Sequence, residues 1–197
     1  MLITCSDSRV SPTLITQAAP GDLFVLRNAG NLVPPYGAAA LSGEAATVEF
    51  AVASLGVRDI VVLGHSNCGA MQGLLAPESC GHLPAMQAWL QLAESTRRIL
   101  RETYAELEGE ARLAKAIEVH VMVQLANLRT HPCVAARLAA GDLKLHGWVY
   151  DIGTGVVAAY DSEEGRFSPM TDEQPSTPAE AESAVEHGGT QDRGLVG

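Results

Sequence analysis

Two short apolar runs that each end in potential metal ligands constrain this chain more than any other feature. Residues 2–4 are typical of the end of a strand, which delivers Cys5 into a loop. The run 60–63 reads as a second, buried strand that leads into His65 and then Cys68. Because ligands of parallel sheets collect where the strands end, these distant residues are expected to meet at one edge of a sheet.

The order of the predicted elements indicates an α/β fold. Strands alternate with helices along the first part of the chain, which predicts a mostly parallel central β-sheet flanked by helices. A turn at 153–155 predicts a C-terminal hairpin that supplies edge strands. The predicted strands are 2–4, 23–26, 60–63, 143–151 and 156–160, and the predicted helices are 12–17, 43–55, 84–104, 115–129, one that begins near 68 and one that ends near 141.

Length and composition fit one domain with a polar extension. The chain has 197 residues, 47% of them hydrophobic, which is enough for one sizeable core and short for two. We assign 1–168 to the domain that carries the metal ligands and the catalytic residues. Residues 169–197 are rich in Pro, Ser, Thr, Glu and Gly and are predicted to form an acidic, disordered tail.

Charge and hydrophobicity indicate which partners to expect. The formal net charge is −10, but residues 161–197 alone hold nine acidic residues against two arginines. The nearly balanced remainder lacks the clustered Lys and Arg of a nucleic-acid surface. No apolar run approaches the roughly 18 residues of a membrane helix, and no signal-peptide pattern is present. We therefore expect a cytoplasmic protein with no nucleic-acid or membrane partner.

The residues Cys5, His65 and Cys68 form a ligand set that suits zinc. Three protein ligands of this kind leave a fourth tetrahedral position open for water, as in catalytic zinc sites. Two alternatives remain open: a fourth protein ligand from Cys80 or Cys133 would make the site structural, and one from Asp7 would make it gated. The latter two cysteines have no partner at ligand spacing, so we interpret them as ordinary thiols.

Asp7 and Arg9 follow the first ligand and add an acid and a permanent cation. Zinc lowers the pKa of a bound water, and the Asp7 carboxylate can accept the hydrogen bond of that water. The Arg9 guanidinium can clamp the carboxylate and hold it away from the metal. Two thiolate ligands reduce the charge left on zinc, so activity is expected at neutral to alkaline pH. The alternative is an ordinary ion pair in a loop.

Several motifs, taken together, resemble the β-class carbonic anhydrases. The resemblance runs from residue 2 to about 161, and the two ligand motifs in combination are highly specific. Two further segments, 34–37 and 146–150, are similar to the bacterial and cyanobacterial branch of that family. The matching motifs, in the family's order and spacing, are Cys5-Ser6-Asp7-Ser8-Arg9-Val10, Pro20-Gly21-Asp22-Leu23-Phe24, Arg27-Asn28-Ala29-Gly30-Asn31 and Gly64-His65-Ser66-Asn67-Cys68-Gly69.

The resemblance implies a zinc enzyme that interconverts CO2 and bicarbonate. It implies one Zn²⁺ per chain on the three ligands and an Asp7–Arg9 pair that acts on the metal-bound water. It also implies an apolar CO2 pocket, which maps onto Phe24, Ala29 and Phe50, with the backbone of Gly69 nearby. Such a pocket suits a small, linear, uncharged substrate.

The resemblance also bears on assembly and regulation. Members of the family form homodimers or higher homo-oligomers and carry a helical arm before the first strand that wraps a partner subunit. That arm is missing from this sequence, so weaker association and reduced turnover are expected. A subgroup binds inhibitory bicarbonate through a tryptophan where this chain has Leu2, which favours an open site with water as the fourth ligand.

Two rival functions are left open by the sequence. Hydrolysis of CS2 or COS would suit the same scaffold, and relatives of the family perform it. The other rival is a zinc-binding interaction protein with impaired catalysis. Within carbon utilization, the physiological role is also open between a general cytoplasmic supply of bicarbonate, a cyanate-linked role and association with a carboxysome.

Overall fold

The computed structural model describes residues 1–38 and 42–170, which fold around one six-stranded sheet. The strands are β1 (Leu2–Cys5), β2 (Val25–Asn28), β3 (Asp59–His65), β4 (Lys144–Tyr150), β5 (Val157–Asp161) and β6 (Arg166–Pro169). The α-helices are α1 (Pro12–Thr16), α2 (Gly43–Glu49), α3 (Gly69–Leu75), α4 (Pro84–Leu90), α5 (Glu94–Thr103), α6 (Gly109–Thr130) and α7 (Pro132–Ala139).

The sheet has the order β2-β1-β3-β4-β5-β6. The first four strands in this order run parallel, and β5 and β6 pair antiparallel at one edge. The predicted α/β fold class is therefore confirmed. The predicted hairpin forms between β4 and β5, while β6, which the sequence did not indicate, extends it to the edge of the sheet.

The interior strand β1 is buried along its whole length, and Leu2 and Ile3 belong to different hydrophobic clusters. Ile3 belongs to the core that contains Val62 and Val121, whereas Leu2 packs with Val10 and Leu63 in another cluster. Burial on both faces explains why β1 and β3 read as continuous apolar runs rather than as alternating patterns.

Helix α6 covers β3 and β4 at close range because both strands carry a glycine beneath it. A Cβ at Gly64 would lie 2.9 Å from Val121 Cγ2, and a Cβ at Gly147 would lie 3.0 Å from Val121 Cγ1. Any larger residue at either position would therefore push the helix away from the sheet. This close packing places the middle of α6 beside the ends of the strands.

The structure differs from the helix predictions in three places. The predicted helix 84–104 is divided into α4 and α5 by a 3₁₀ turn, Gln91–Ala93. Leu90, Ala93 and Leu100 are all buried at spacings that an unbroken helix would also allow, so periodicity could not reveal the turn. Helix α2 continues as a π-helical segment, Phe50–Ser54, and α6 begins six residues before the predicted start.

Part of the predicted tail, from residue 171 onward, lies outside the described residues, so its disorder remains a prediction. None of the helices in the described ranges is long and apolar enough to cross a membrane.

Candidate metal centre

Three predicted ligands meet at the carboxyl edge of the sheet. Cys5 is the last residue of β1 and His65 is the last residue of β3, its neighbour in the sheet. A tight turn then returns Cys68 to the same edge, and Asn67 adopts the left-handed conformation, with φ of 57°, that this turn requires. The two sulfurs and one histidine nitrogen lie within 4.8 Å of one another, and all three residues are buried.

The His65 ring has one nitrogen free to bind a metal. Its Nδ1 lies 2.9 Å from the Ser66 carbonyl, which can only accept, so Nδ1 carries the proton. The other nitrogen, Nε2, is buried and has no hydrogen-bond partner, and in the neutral ring it carries a free lone pair. A buried nitrogen lone pair without a partner is costly, and coordination of a cation would satisfy it.

The contact between the two thiols favours a negative charge, which would attract a cation. The hydrogen bond that Cys68 gives lowers the pKa of the Cys5 thiol to about 4, while the same contact and burial raise the pKa of Cys68. This contact therefore favours the thiolate form of Cys5. Two thiolates and one imidazole are a common donor set for zinc, so the residues fit that ion.

Asp7 lies beside the ligands and is held by Arg9. The Arg9 guanidinium donates from Nε to Oδ1 at 2.9 Å and from Nη2 to Oδ2 at 2.7 Å, and the Arg9 backbone amide also donates to Oδ1. These bonds hold the pKa of the Asp7 carboxyl well below its usual range. Asp7 Oδ2 is 4.0 Å from His65 Nε2, so the carboxylate faces the position that a metal would occupy.

Two cationic side chains connect the loops of the site. Arg9 Nη2 donates to the Asn67 carbonyl at 3.3 Å, which joins the two ligand loops. Arg27 donates from Nε and Nη2 to the Cys5 carbonyl and from Nη2 to the Asp7 carbonyl. The sequence showed Arg27 only as part of a family motif, because a contact with a carbonyl more than twenty residues away leaves no local pattern.

The four residues predicted to form the CO2 pocket occupy two different regions. Ala29 follows β2 directly after Asn28, the residue that pairs with Cys5, and Gly69 follows the third ligand. Phe24, in contrast, lies at the other end of β2, where its carbonyl accepts from the Leu2 amide. Its ring lies 6.2 Å from the ring of Phe50, which is 52% exposed. Within one chain, this aromatic pair does not join the metal ligands.

The other two cysteines, Cys80 and Cys133, are free thiols and are not members of the ligand group. Over residues 1–38 and 42–170, that group is the one set of His, Cys, Asp and Glu residues with the geometry to hold a metal ion. The site therefore has three candidate protein ligands and a nearby carboxylate, and neither Cys80 nor Cys133 adds a fourth ligand.

Comparison with known proteins identifies the family. The family model described as carbonic anhydrase matches residues 1–157. A carbonic anhydrase of Synechocystis is 51% identical over 162 residues, which are 82% of this chain and 59% of the relative. A carbonic anhydrase of Pseudomonas aeruginosa is 50% identical over 172 residues, which are 87% of this chain and 77% of the relative. The chain thus spans about three fifths of the length of the cyanobacterial relative.

Solved structures agree with this assignment. The β-carbonic anhydrase CcaA superimposes with a TM-score of 0.83 at 49% identity, covering 86% of this chain and 82% of that one. A second match comes from the crystal structures of two tetrameric β-carbonic anhydrases of the fungus Sordaria macrospora. It has a TM-score of 0.73 at 32% identity and covers 85% of this chain and 80% of the fungal chain. The sequence match, the shared fold and the grouped cysteine and histidine ligands together show that the chain belongs to the β-class carbonic anhydrase family.

Proposed function

We propose that the protein is a zinc-dependent carbonic anhydrase that catalyses the reversible hydration of CO2 to bicarbonate and a proton. The observation that carries the proposal is the unpartnered Nε2 of His65, buried between two thiols and 4.0 Å from the carboxylate of Asp7. Cys5, His65 and Cys68 would hold the zinc. The bound ion would supply a Lewis acid that lowers the pKa of a coordinated water and stabilises negative charge.

Asp7 has the geometry to orient that water. Arg9 donates two hydrogen bonds to its Oδ1 and one to its Oδ2, so Oδ2, which is nearer the ligands, keeps a lone pair for the water. Because the pKa of Asp7 is depressed, the carboxylate stays ionised and is a weak base. We therefore assign it the role of accepting and directing a hydrogen bond, with Arg9 fixing its position. The proton that the reaction releases would reach solvent beside Arg9, whose side chain is half-exposed.

The proposed CO2 pocket requires a second copy of the chain. Ala29 and Gly69 lie beside the ligands, whereas Phe24 and Phe50 lie at the other end of β2 in their own chain and can reach a metal centre only in a partner. The exposure of Phe50, at 52%, and Leu55, at 51%, supports burial in a homo-oligomer. Sedimentation of a dimer or larger assembly is expected, and a monomer at micromolar concentration would contradict this part of the proposal.

The enzyme activity can be tested by mass spectrometry of ¹⁸O exchange between labelled CO2 and water. Zinc-loaded protein should accelerate the exchange at neutral to alkaline pH. Replacing Asp7 with Asn should keep the zinc and lower the rate about 10²-fold, the usual effect of losing the orientation of a reacting group. No exchange above background from protein that contains stoichiometric zinc would refute the proposed activity.

The metal assignment has its own matched control. Cys68→Ser removes one predicted ligand, and Cys133→Ser removes a thiol outside the ligand group. Zinc content after dialysis should fall strongly in the first variant and stay near one ion per chain in the second. Equal zinc content in the two variants would contradict the ligand assignment.

The proposal also includes the predicted cytoplasmic location and a role in carbon utilization. Cell fractionation would test the location, and growth of a deletion strain in air would test the role.

A further inference from the structure

One backbone amide in the structure points at a metal ligand. The Gly30 N–H donates to Cys5 Sγ at an N···S distance of 3.4 Å, and the contact is buried. Gly30 has φ of 83°, and a Cβ at this position would lie 2.8 Å from the Ala70 Cβ. Both the backbone conformation and the close approach therefore require glycine, so the direction of this amide is built into the chain.

A tryptophan from α4 holds the other side of the same peptide unit. Trp89 Nε1 donates to the Ala29 carbonyl at 2.8 Å. The Ala29 carbonyl and the Gly30 amide belong to one trans peptide, so its oxygen and its hydrogen point in opposite directions. A continuous chain of hydrogen bonds thus runs from the indole through the peptide to the Cys5 sulfur. Bonds in such a chain polarise one another, so the indole strengthens the amide as a donor.

The next peptide is held as firmly, by α6. His120 Nε2 lies 2.8 Å from the Gly30 carbonyl, which can only accept, so this nitrogen carries the proton. His120 Nδ1 then accepts from Thr96 Oγ1, at 3.1 Å, or from Gln124 Nε2, at 3.3 Å. All three of these side chains are buried. Trp89 thus holds the peptide before Gly30 and His120 holds the peptide after it, and neither side chain is a candidate metal ligand.

We infer that Trp89 is a positioning residue for the metal centre, acting through the Ala29–Gly30 peptide on the sulfur of Cys5. The inference rests on the zinc centre of the proposed function and extends it to a residue outside the ligand loops. A hydrogen bond to a ligating thiolate withdraws charge from the sulfur, which leaves more positive charge on the metal. In a site with two thiolates, this partly offsets the charge that the sulfurs donate.

The test uses cobalt(II) as the bound metal, because cobalt reports on its thiolate ligands through a charge-transfer absorption band. Trp89→Phe keeps an aromatic ring and removes the indole N–H, and Trp148→Phe is the matched control in a different cluster. We expect the band of Trp89→Phe to move to longer wavelength and the cobalt affinity to fall about tenfold. Trp148→Phe should change neither quantity.

A second variant separates the hydrogen bond from packing. The chain has two tryptophans, so in the Trp148→Phe protein the analogue 3-benzothienylalanine can be incorporated at position 89 alone. This analogue keeps the shape of the indole and replaces its N–H with sulfur, and the band should shift as in Trp89→Phe. The inference would be overturned if Trp89→Phe and the protein with the analogue both had the charge-transfer band and the cobalt affinity of Trp148→Phe. That result would leave the proposed metal centre intact. A missing thiolate band in the unaltered protein would overturn both. A normal band with the expected shift but without CO2 hydration would refute the proposed activity alone.

Discussion

The buried His120 makes the stability of the fold depend on pH in a way that one substitution should remove. The side chain is 1% exposed, and burial lowers its pKa to about 4. In the unfolded chain a histidine has a pKa of about 6.5. The unfolded state therefore takes up a proton at higher pH than the folded state does. Acidification stabilises the unfolded state, and folding stability falls as the pH drops from about 6.5 to about 4.

The magnitude follows from these two values. At pH 5 an unfolded His120 is almost fully protonated and a folded one is mostly neutral, so the loss between pH 7.5 and pH 5 is about 2 kcal/mol. Neutral groups surround the ring: Thr96 from α5, Gln124 from α6 and the Gly30 carbonyl. The charge of Cys5 favours protonation of His120, but burial opposes it more strongly.

The measurement is urea unfolding of the unaltered protein and of His120→Gln at pH 7.5 and pH 5, with a chelator and a reductant present. Glutamine stays neutral and can still donate to the Gly30 carbonyl. Between pH 7.5 and pH 5, the variant should lose about 2 kcal/mol less free energy of unfolding than the unaltered protein does. Asp7 and Asp151 also have lowered pKa values, but they lose their stabilising effect only at more acidic pH. The lowered pKa of the Cys5 thiol acts within the measured range, but it is present in both proteins, so the difference between their pH profiles reports His120. Parallel pH profiles of the two proteins would refute the reasoning.

Two further substitutions test the packing and the loops of the site. Gly64→Ala should lower the free energy of unfolding by about 1–3 kcal/mol, because the new Cβ meets Val121. The control Gly43→Ala has open space around the new Cβ and should leave the free energy of unfolding unchanged. Equal urea midpoints for the two variants would contradict this prediction. Arg27→Gln removes three hydrogen bonds to carbonyls of the first ligand loop and should lower zinc affinity about tenfold in a chelator competition. Arg58→Gln, a surface change elsewhere, should leave the affinity unchanged, and an equal loss in both variants would argue against a role for Arg27.

The parts of the site that the sequence revealed are those that follow directly after a strand. Cys5 and His65 end apolar runs, and parallel strands bring such ends together whatever connects them. Asp7 and Arg9 were predicted because they lie within four residues of a ligand, and the structure confirms their contact with each other. The α/β fold class was predictable for the same reason, since alternating elements leave few possible topologies.

The remaining parts depend on contacts that no local pattern encodes. Trp89 and Ala29 are sixty residues apart in sequence, and His120 and Gly30 are ninety apart. His120 is buried and has hydrogen-bonding neighbours on three segments: the Gly30 carbonyl, Thr96 of α5 and Gln124 of α6. The substrate role of Phe24 stays a prediction, because one chain alone does not bring it to the ligands.

Three polar side chains on α6, His120, Gln124 and Asn127, fix the position of the irregular segment 30–33. This segment carries the Gly30 amide that donates to Cys5. Leaving one buried polar group unpaired costs about 1–3 kcal/mol, so a stripe of such groups in a core needs a matching set of partners. The segment 30–33 supplies them: besides the bond from His120, Gln124 Oε1 accepts from the Val33 amide and Asn127 Nδ2 donates to the Val33 carbonyl, both at 2.8 Å. A segment without regular structure must find its backbone partners elsewhere. Here α6 binds the Gly30 carbonyl and both backbone groups of Val33, while the Asn28 side chain binds the amide and the carbonyl of Leu32. The helix and the segment therefore fix each other's position, and α6 shapes the metal centre without contributing a ligand.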